Sequence, residues 1–213
     1  MRKLFLLSII ALGFASCGSD SAQTKSESKT KKEENCSYTM LVDSSKASFT
    51  AYKFTNKQGV GGKFDSVMVS KNKVGKSLRE AIVGTEFTIP VKSLNTNNTQ
   101  RNGRIYEHFF MKLIEGKSIT GTFTALEGNN ENGSATVNLR LNGMEQNVRL
   151  SYMTIGNKLQ LVGAMDLVNW KAEDAVASLN KVCYDLHKGE DGISKTWSEV
   201  SLKLETKFIK ECK

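Results

Sequence analysis

The sequence offers few side chains that could act as acids, bases or nucleophiles near neutral pH. It contains two histidines, His108 and His187, and imidazole is the side chain whose ordinary pKa lies closest to neutrality. Neither lies in a Gly-x-Ser-x-Gly turn, an HExxH motif or a phosphate-binding glycine loop. No spacing of acidic residues predicts two carboxylates across one pocket. We therefore expect no enzymatic activity, no metal and no cofactor, with hydrolysis as the less favoured alternative.

The N-terminal residues combine a basic start, an apolar run and a cysteine. Basic residues at 2–3 precede the apolar run at 4–14, and the tetrapeptide Phe-Ala-Ser-Cys occupies 14–17. The run is shorter than the about 20 apolar residues that span a bilayer, but it fits the core of a secretory signal. The tetrapeptide resembles a bacterial lipoprotein signal. That resemblance implies cleavage before Cys17 and lipidation of this cysteine, and an ordinary cleaved signal is the alternative.

The segment after Cys17 has the composition of a tether. Residues 18–35 contain four lysines, four acidic residues and no large apolar side chain. Such a segment cannot bury enough apolar surface to offset the entropy lost on ordering. We therefore divide the chain into a signal peptide at 1–16, a lipidated, disordered tether at 17–35 and one folded domain at 36–213.

Charge and location restrict the partners. The formal net charge is +8, but the lysines are scattered and not clustered with aromatic residues, so nucleic-acid binding is not expected. Gly18 and Ser19 follow Cys17 without an acidic residue, which by resemblance to other lipoproteins favours the outer membrane. We expect a protein of the bacterial cell envelope, held to the membrane by its lipid and facing the periplasm. The oligomeric state stays open.

Three cysteines remain once Cys17 carries lipid. In an oxidising compartment they can pair as Cys36–Cys183, Cys36–Cys212 or Cys183–Cys212. Cys36 opens the domain and Cys212 closes it, so we favour Cys36–Cys212, with Cys183 as a buried thiol. No CxxC or Cys/His spacing indicates a zinc or redox site.

Alternation of apolar and polar residues with a period of two predicts strands along most of the domain. The clearest case is 135–141, where four apolar residues alternate with polar ones before an Asn-Gly pair at 142–143. A return strand at 148–152 and another strand at 159–167 follow, with a Gly-Asn pair at 156–157 between them. Asn-Gly suits a tight hairpin. Three consecutive antiparallel strands are the best-supported part of the prediction.

Further segments bring the total to about eight strands, while two stretches, 104–111 and 171–181, have helical spacing. Eight amphipathic strands must each bury one face, which they can do by closing into a barrel or by stacking as a sandwich. The residues alone therefore predict an all-β domain with one or two short α-helices. Apolar residues that share one face indicate strands at 83–91, 119–125 and 200–208, and the weaker strand candidates are 38–43, 47–55 and 61–70.

Several short segments share a family pattern: Phe49, 62–64 (GKF), 96–110, 119–123 (ITGTF) and 137–150. Through them the chain, from about residue 43 to residue 208, resembles the YceI-like family of exported, lipocalin-like proteins that bind polyisoprenoid or related lipids. The resemblance implies a lipocalin-like antiparallel barrel of about eight strands. An eight-stranded barrel either holds one small ligand or is filled by its own side chains.

The chain departs from the family pattern at two points. Where family members commonly read Arg-Asp-x-His-Leu, this chain reads Arg-Asn-Gly-Arg-Ile at 101–105. The family's early histidine falls at Lys53 or Phe54. The polar end of the ligand is therefore not carried over from the family.

The expected function is storage or transport of a polyisoprenoid or another long-chain amphiphilic lipid. An isoprenoid tail gains affinity by burial, at about 0.8 kcal/mol per CH₂ group before ordering costs. We expect Phe109-Phe110 and the helix at 171–181 to lie at the mouth of the barrel. The candidate ligand-binding residues are Phe49, Phe64, Met68, Phe87, Phe109, Phe110, Phe123, Leu139, Met165 and Leu179.

The alternative is a filled interior. The same apolar side chains would then form a solid core, and the protein would be a lipid-anchored envelope component that binds a partner through its loops. Apolar strand faces form core more often than pocket, so the sequence keeps this alternative open.

Overall fold

A computed structural model describes residues 35–213 of the chain. The predicted signal peptide at 1–16, the lipidation site Cys17 and the tether as far as residue 34 lie outside the described residues. Ten strands and three α-helices lie within the described part. The strands are β1 (Cys36–Lys53), β2 (Gln58–Phe64), β3 (Met68–Ser70), β4 (Glu86–Pro90), β5 (Leu94–Asn95), β6 (Ser118–Gly128), β7 (Asn132–Leu141), β8 (Met144–Ile155), β9 (Lys158–Asp166) and β10 (Thr196–Cys212), and the helices are α1 (Leu78–Ile82), α2 (Thr99–His108) and α3 (Glu173–Val182).

All ten strands of the described residues form one antiparallel sheet in the order β3-β4-β6-β7-β8-β9-β10-β1-β2-β5. The sheet curls, since side chains from strands far apart in this order line common cavities. The predicted all-β, lipocalin-like fold is confirmed. The structure has ten strands where about eight were expected, because two very short edge strands, β3 and β5, add to the count.

The meander of β7, β8 and β9 follows the sequence pattern closely. Leu141 pairs with Met144 across the two-residue turn at 142–143, where both turn residues have positive φ, 50° and 68°. This backbone suits Asn and Gly and matches the right-handed twist of the paired strands. The apolar residues of β7 are buried at every second position. The prediction of three consecutive antiparallel strands is confirmed.

The first and last strands pair with each other over most of their length. The β1–β10 register runs from Cys36 opposite Cys212 to Lys53 opposite Thr196, and it shifts between Leu41 and Lys46 and again between Ala51 and Lys53. The first shift explains why the sequence divides β1 into two strand candidates. Cys36 and Cys212 form a disulfide, and Cys183 is a buried free thiol.

Helix α1 was not predicted. Ser77 caps it by accepting a hydrogen bond from the Glu80 amide at 3.2 Å, and the helix buries Leu78, Ala81 and Ile82. The predicted strand at 83–91 is wrong at its start, because Val83 is the C-cap of α1 and β4 begins at Glu86. A helix of five residues is too short to show a clear period in the sequence.

The two predicted helical stretches correspond to α2 and α3. Helix α2 begins earlier than predicted because the Asn98 side chain accepts a hydrogen bond from the Arg101 amide at 2.8 Å and so caps it. A 3₁₀ turn at Phe110–Lys112 follows α2. Within residues 35–213, none of the helices has the length and apolar character needed to cross a bilayer.

Candidate functional site

Two apolar cavities lie inside the curled sheet. One has a volume of about 50 Å³ and includes Ile82 of helix α1, so we call this end of the molecule the α1 end. The other has a volume of about 130 Å³ and lies against helices α2 and α3, so we call this end the α2/α3 end. Strands β1, β6, β9 and β10 line both cavities: on β1, for example, Met40 lines the α1 cavity and Phe49 the α2/α3 cavity.

The α2/α3 cavity is lined by strands on one side and by helices on the other. On α2 and the turn after it, Ile105 and Phe109 stand one helical turn apart and face the cavity. On α3, Val176 and Leu179 do the same. The two helices contact each other and close this side of the cavity.

A group of aromatic rings borders the cavity. The Phe64 ring lies 5.7 Å from the ring of Phe49 and 6.3 Å from that of Phe110, and Phe109 and Phe110 lie 5.0 Å apart at their centroids. Phe49 pairs across the strands with Gly62, and a Cβ atom at position 62 would come within 2.4 Å of the Phe49 ring. The glycine therefore lets this ring lie against the neighbouring strand.

Seven of the ten candidate ligand-binding residues line the α2/α3 cavity. They come from β1, β2, β7, β9, α3 and the turn after α2, so the fold brings together residues far apart in sequence. They are Phe49, Phe64, Phe109, Phe110, Leu139, Met165 and Leu179.

The other three candidates lie elsewhere. Phe87 and Phe123 line the smaller α1 cavity, with their rings 6.0 Å apart, because β4 and the second half of β6 lie at that end. Met68 lines neither cavity and is 53% exposed. It belongs to the edge strand β3, whose three residues alternate between exposed and partly buried. Met68 therefore lies apart from the other nine candidates.

The sequence analysis missed several lining residues. Ala51, Val200 and Leu202 continue the alternation of strands already predicted, so the period of two could have found them. Trp197 had no such signal. It lies where the β1–β10 register shifts, and its indole Nε1 donates a hydrogen bond to the Phe54 carbonyl at 2.7 Å.

A polar cleft of about 470 Å³ borders the same elements. Three basic residues line it, Lys53, Arg101 and Arg104, and no Asp or Glu does. Lys53 Nζ donates to the Leu186 carbonyl at 2.9 Å. We call this feature the basic cleft.

His187 joins the basic cleft to the α2/α3 cavity. Thr196 is one of the residues that line the cavity. Its hydroxyl donates to Asn180 Oδ1 at 2.8 Å and lies 2.6 Å from His187 Nδ1. Because the Thr196 hydroxyl has one proton and donates it to Asn180, it accepts the hydrogen bond from His187, and His187 Nδ1 is the donor. Burial, and secondly the charges of Lys53 and Arg104, lower the pKa of His187 to about 4. The imidazole is therefore neutral at pH 7.

The two histidines do not form a joint site. His108 lies on α2, and its Nε2 is 3.9 Å from a carboxylate oxygen of Glu107. It lines neither cavity nor the basic cleft. Burial raises the pKa of the Cys183 thiol, with Arg104 acting in the opposite direction. Across residues 35–213, no group of three or more His, Cys, Asp or Glu side chains is placed to hold a metal ion.

Fold and cavity together define a lipocalin-like protein with an apolar interior. The model of the YceI-like domain family matches residues 38–208. The chain therefore belongs to the YceI-like family. Comparison with the curated proteins finds no significant match.

Solved structures share this fold at low sequence identity. A polyisoprenoid binding domain from Saccharophagus degradans, implicated in plant cell wall breakdown, has a TM-score of 0.57 at 15% identity, covering 83% of this chain and 98% of that chain. Burkholderia cenocepacia BcnA has a TM-score of 0.56 at 13% identity, covering 80% and 99%. The YceI protein of Campylobacter jejuni has a TM-score of 0.50 at 17% identity, covering 76% and 89%.

Proposed function

We propose that this protein binds a polyisoprenoid or another long-chain lipid in the α2/α3 cavity, without catalysis, and stores or carries it in the bacterial cell envelope. The observation that carries the proposal is the cavity itself, about 130 Å³ in volume and lined almost wholly by apolar atoms. Such a surface gains free energy when it buries methyl and methylene groups. Membership of the YceI-like family and the fold shared with a polyisoprenoid binding domain support it.

The size of the cavity defines how a long chain has to enter. A cavity of about 150 Å³ in another protein holds one benzene molecule, so the α2/α3 cavity takes a few carbon atoms as it stands. Most of its lining side chains are partly buried, not fully enclosed, among them Phe49, Phe64, Ile105 and Leu179. Binding a longer tail therefore involves displacement of helices α2 and α3 together with these side chains.

The proposal places the protein at the outer membrane, facing the periplasm, with a lipid on Cys17. It rests on the apolar run at 4–14, the small residues before Cys17 and the polar segment after it. Changing Cys17 to serine should move the protein from the membrane fraction to the soluble fraction. Unchanged fractionation would contradict the lipid anchor.

A second candidate function is a lipid-anchored interaction protein with a filled interior. The observation that favours it is the cavity volume, because binding sites for small molecules usually enclose about 300–1,000 Å³. In this case the protein purified from cells would contain no lipid, and its binding to a partner would not respond to changes in the cavity.

One experiment separates the two functions. The full chain is purified from bacterial cells, extracted with organic solvent and analysed by mass spectrometry for an apolar molecule at near-stoichiometric amount. Ala51→Leu fills part of the cavity and should lower lipid occupancy about tenfold while keeping the fold. The control Ser48→Leu adds the same side chain to the opposite face of β1. Lipid-free protein, or equal occupancy in both variants, would contradict the binding function.

A further inference from the structure

Five chain segments meet at the outer tip of the α1 end, beyond the smaller cavity. The disulfide joins the first segment to the last. Backbone hydrogen bonds of 2.7–3.1 Å join the others to neighbouring strands, from Tyr38 to Gly75, from Phe208 to Asn157 and from Thr154 to Glu131. We call the segments 35–41, 71–77, 129–133, 155–158 and 207–213 the tip segments.

Basic side chains outnumber acidic ones at this tip. The tip segments contain seven lysines and two acidic residues, Glu131 and Glu211. Two of the lysines form ion pairs with carboxylates of the sheet. At the other end of the molecule, the segments 54–57, 97–117 and 168–195 contain nine basic and seven acidic residues. The tip is therefore cationic, whereas the charges of the α2/α3 end nearly balance.

Exposed apolar side chains lie among the lysines of the tip. Four paired residues form one row across the outer face of four strands, in the order Leu41, Lys207, Lys158 and Ile155. Ile209 follows Lys207 on the same face of β10, and Val74 lies in the loop beside β1. The exposed fractions of Val74, Ile155 and Ile209 are 63%, 63% and 43%. Aliphatic side chains mixed with lysines suit the boundary between lipid head groups and acyl chains.

The chain enters the domain at this tip. The described part begins at residue 35, which is 18 positions after Cys17. Under the anchoring proposed at Cys17, the tip therefore lies at most about 65 Å from the lipid even when the connection is fully stretched. A connection this short gives the tip a high effective concentration at the membrane surface, so a weak contact is sufficient.

We propose that the tip segments dock on the surface of a bilayer that contains anionic phospholipid. Val74, Ile155 and Ile209 then lie at the level of the head groups, and the lysines lie near the phosphates. This inference goes beyond the proposed function, because it concerns the end of the molecule opposite the lipid cavity. Docking at the tip directs the α2/α3 end away from the membrane, so the cavity opens towards the aqueous side.

Flotation with vesicles tests the charge of the tip. The protein is the chain from residue 18, which lacks the predicted signal peptide and Cys17 but keeps the whole sheet and its core. It should bind vesicles of phosphatidylethanolamine and phosphatidylglycerol more tightly than vesicles of phosphatidylcholine, and added salt should weaken binding. Lys73→Gln combined with Lys76→Gln and Lys207→Gln should weaken binding about tenfold.

The matched control removes the same charge from the other end. Lys171→Gln combined with Lys181→Gln and Lys188→Gln changes three exposed lysines at or beside α3. This variant should bind the vesicles as tightly as the parent chain. Equal weakening in the two triple variants would show that only the net charge matters and would overturn docking through the tip.

A second pair of variants tests the apolar side chains. Val74→Ser combined with Ile155→Ser should weaken vesicle binding about fivefold, because less apolar surface enters the membrane. The control, Val168→Ser combined with Ile193→Ser, changes two side chains of the other end that are 44% and 54% exposed. It should leave binding unchanged. Unchanged binding in the first variant would contradict insertion of these side chains.

Tryptophan fluorescence reports which end contacts the membrane. Both native tryptophans lie at the α2/α3 end, since Trp197 lines that cavity and the Trp170 indole donates to the Leu139 carbonyl. Vesicles with brominated acyl chains should therefore leave the native fluorescence unchanged. They should quench the added signal of Ile155→Trp. Quenching of the native tryptophans would place the opposite end at the membrane and overturn the proposal.

Farnesol, a short isoprenoid alcohol, separates this inference from the proposed function. Its affinity, measured by calorimetry, should be the same in the parent chain and in the lysine variant of the tip. Farnesol binding without vesicle binding would overturn docking and leave the lipid-binding function standing. Vesicle binding at the tip without farnesol binding would support docking and contradict the lipid-binding function.

Discussion

The two ends of the interior differ in how tightly they are packed. At the α1 end, Ile82, Leu159 and Leu161 are 1–2% exposed, and the cavity among them is about 50 Å³. At the α2/α3 end, the cavity is about 130 Å³, and many of its lining residues, such as Phe49 and Leu179, are partly buried. The disulfide lies at the outer tip of β1 and β10, beyond the residues that line the α1 cavity.

This difference separates stability from binding within a single sheet. A well-packed region with few voids supplies most of the folding free energy, while a region with partly buried contacts opens at lower cost. We therefore expect the α1 end to contribute more to the stability of the fold, and the α2/α3 end to serve the proposed lipid binding. Changes at the two ends should have different effects on stability and lipid affinity.

Removing the disulfide should have the largest effect on stability. Cys36 and Cys212 are 176 residues apart, and closing so long a loop restricts the unfolded chain by up to about 5 kcal/mol in the chain-entropy model. Cys36→Ser with Cys212→Ser should lower the free energy of unfolding by about 3–5 kcal/mol in urea titrations, with farnesol affinity unchanged. Cys183→Ser is the control for loss of a cysteine. A loss of lipid binding in the double variant would contradict the separation of the two ends.

The second prediction compares the loss of stability when one apolar side chain is truncated at each end. Ile82→Ala should lower the free energy of unfolding by about 3 kcal/mol, because this side chain is fully enclosed. Leu179→Ala should lower it by about 1 kcal/mol, because this side chain is only partly buried. Chemical denaturation measures both. Leu179→Ala should weaken farnesol binding, and Ile82→Ala should not. Equal losses in the free energy of unfolding for the two variants would contradict the difference in packing between the two ends.

The last effect depends on pH and should be smaller than that of truncating Ile82. Burial lowers the pKa of His187 from its ordinary 6.5 to about 4, so between these values the unfolded chain binds a proton that the folded chain does not. Stability is therefore full above pH 6.5 and falls as the pH drops, by about 2 kcal/mol between pH 7 and pH 5. His187→Gln should remove this loss in urea titrations, and His108→Gln should retain it. A slope unchanged by His187→Gln would show that the imidazole is not buried in this way.

The sequence predicted the parts of the fold that depend on local pattern. The alternation at 135–141 and the Asn-Gly pair at 142–143 define β7, its turn and the start of β8, because side-chain period and turn chemistry act between neighbours. Helical spacing located α2 and α3. Helix α1 and the edge strand β3 have five and three residues, which is too short for a period to emerge.

The sequence indicated part of the lining of the α2/α3 cavity. Most of the large apolar candidates line one cavity, but no local pattern shows which end of a strand each one occupies, so Phe87 and Phe123 were grouped with residues of the other end. Trp197 depends on a register shift between β1 and β10, which only the paired strands reveal. The basic cleft brings Lys53 and Arg104 together. In the sequence, the only indication of this cleft was that both positions depart from the family pattern.

The pairing of β1 with β10 determines how the domain responds to pulling. A tension applied through the chain before Cys36 arrives at the tip of β1, where the covalent bridge to Cys212 passes part of the load to β10. The two longest strands are then loaded at the same tip and in the same direction. Helices α2 and α3 lie at the far end of these strands and carry little of the load. Under the anchoring proposed at Cys17, a pull from the membrane would therefore reach the α2/α3 end last.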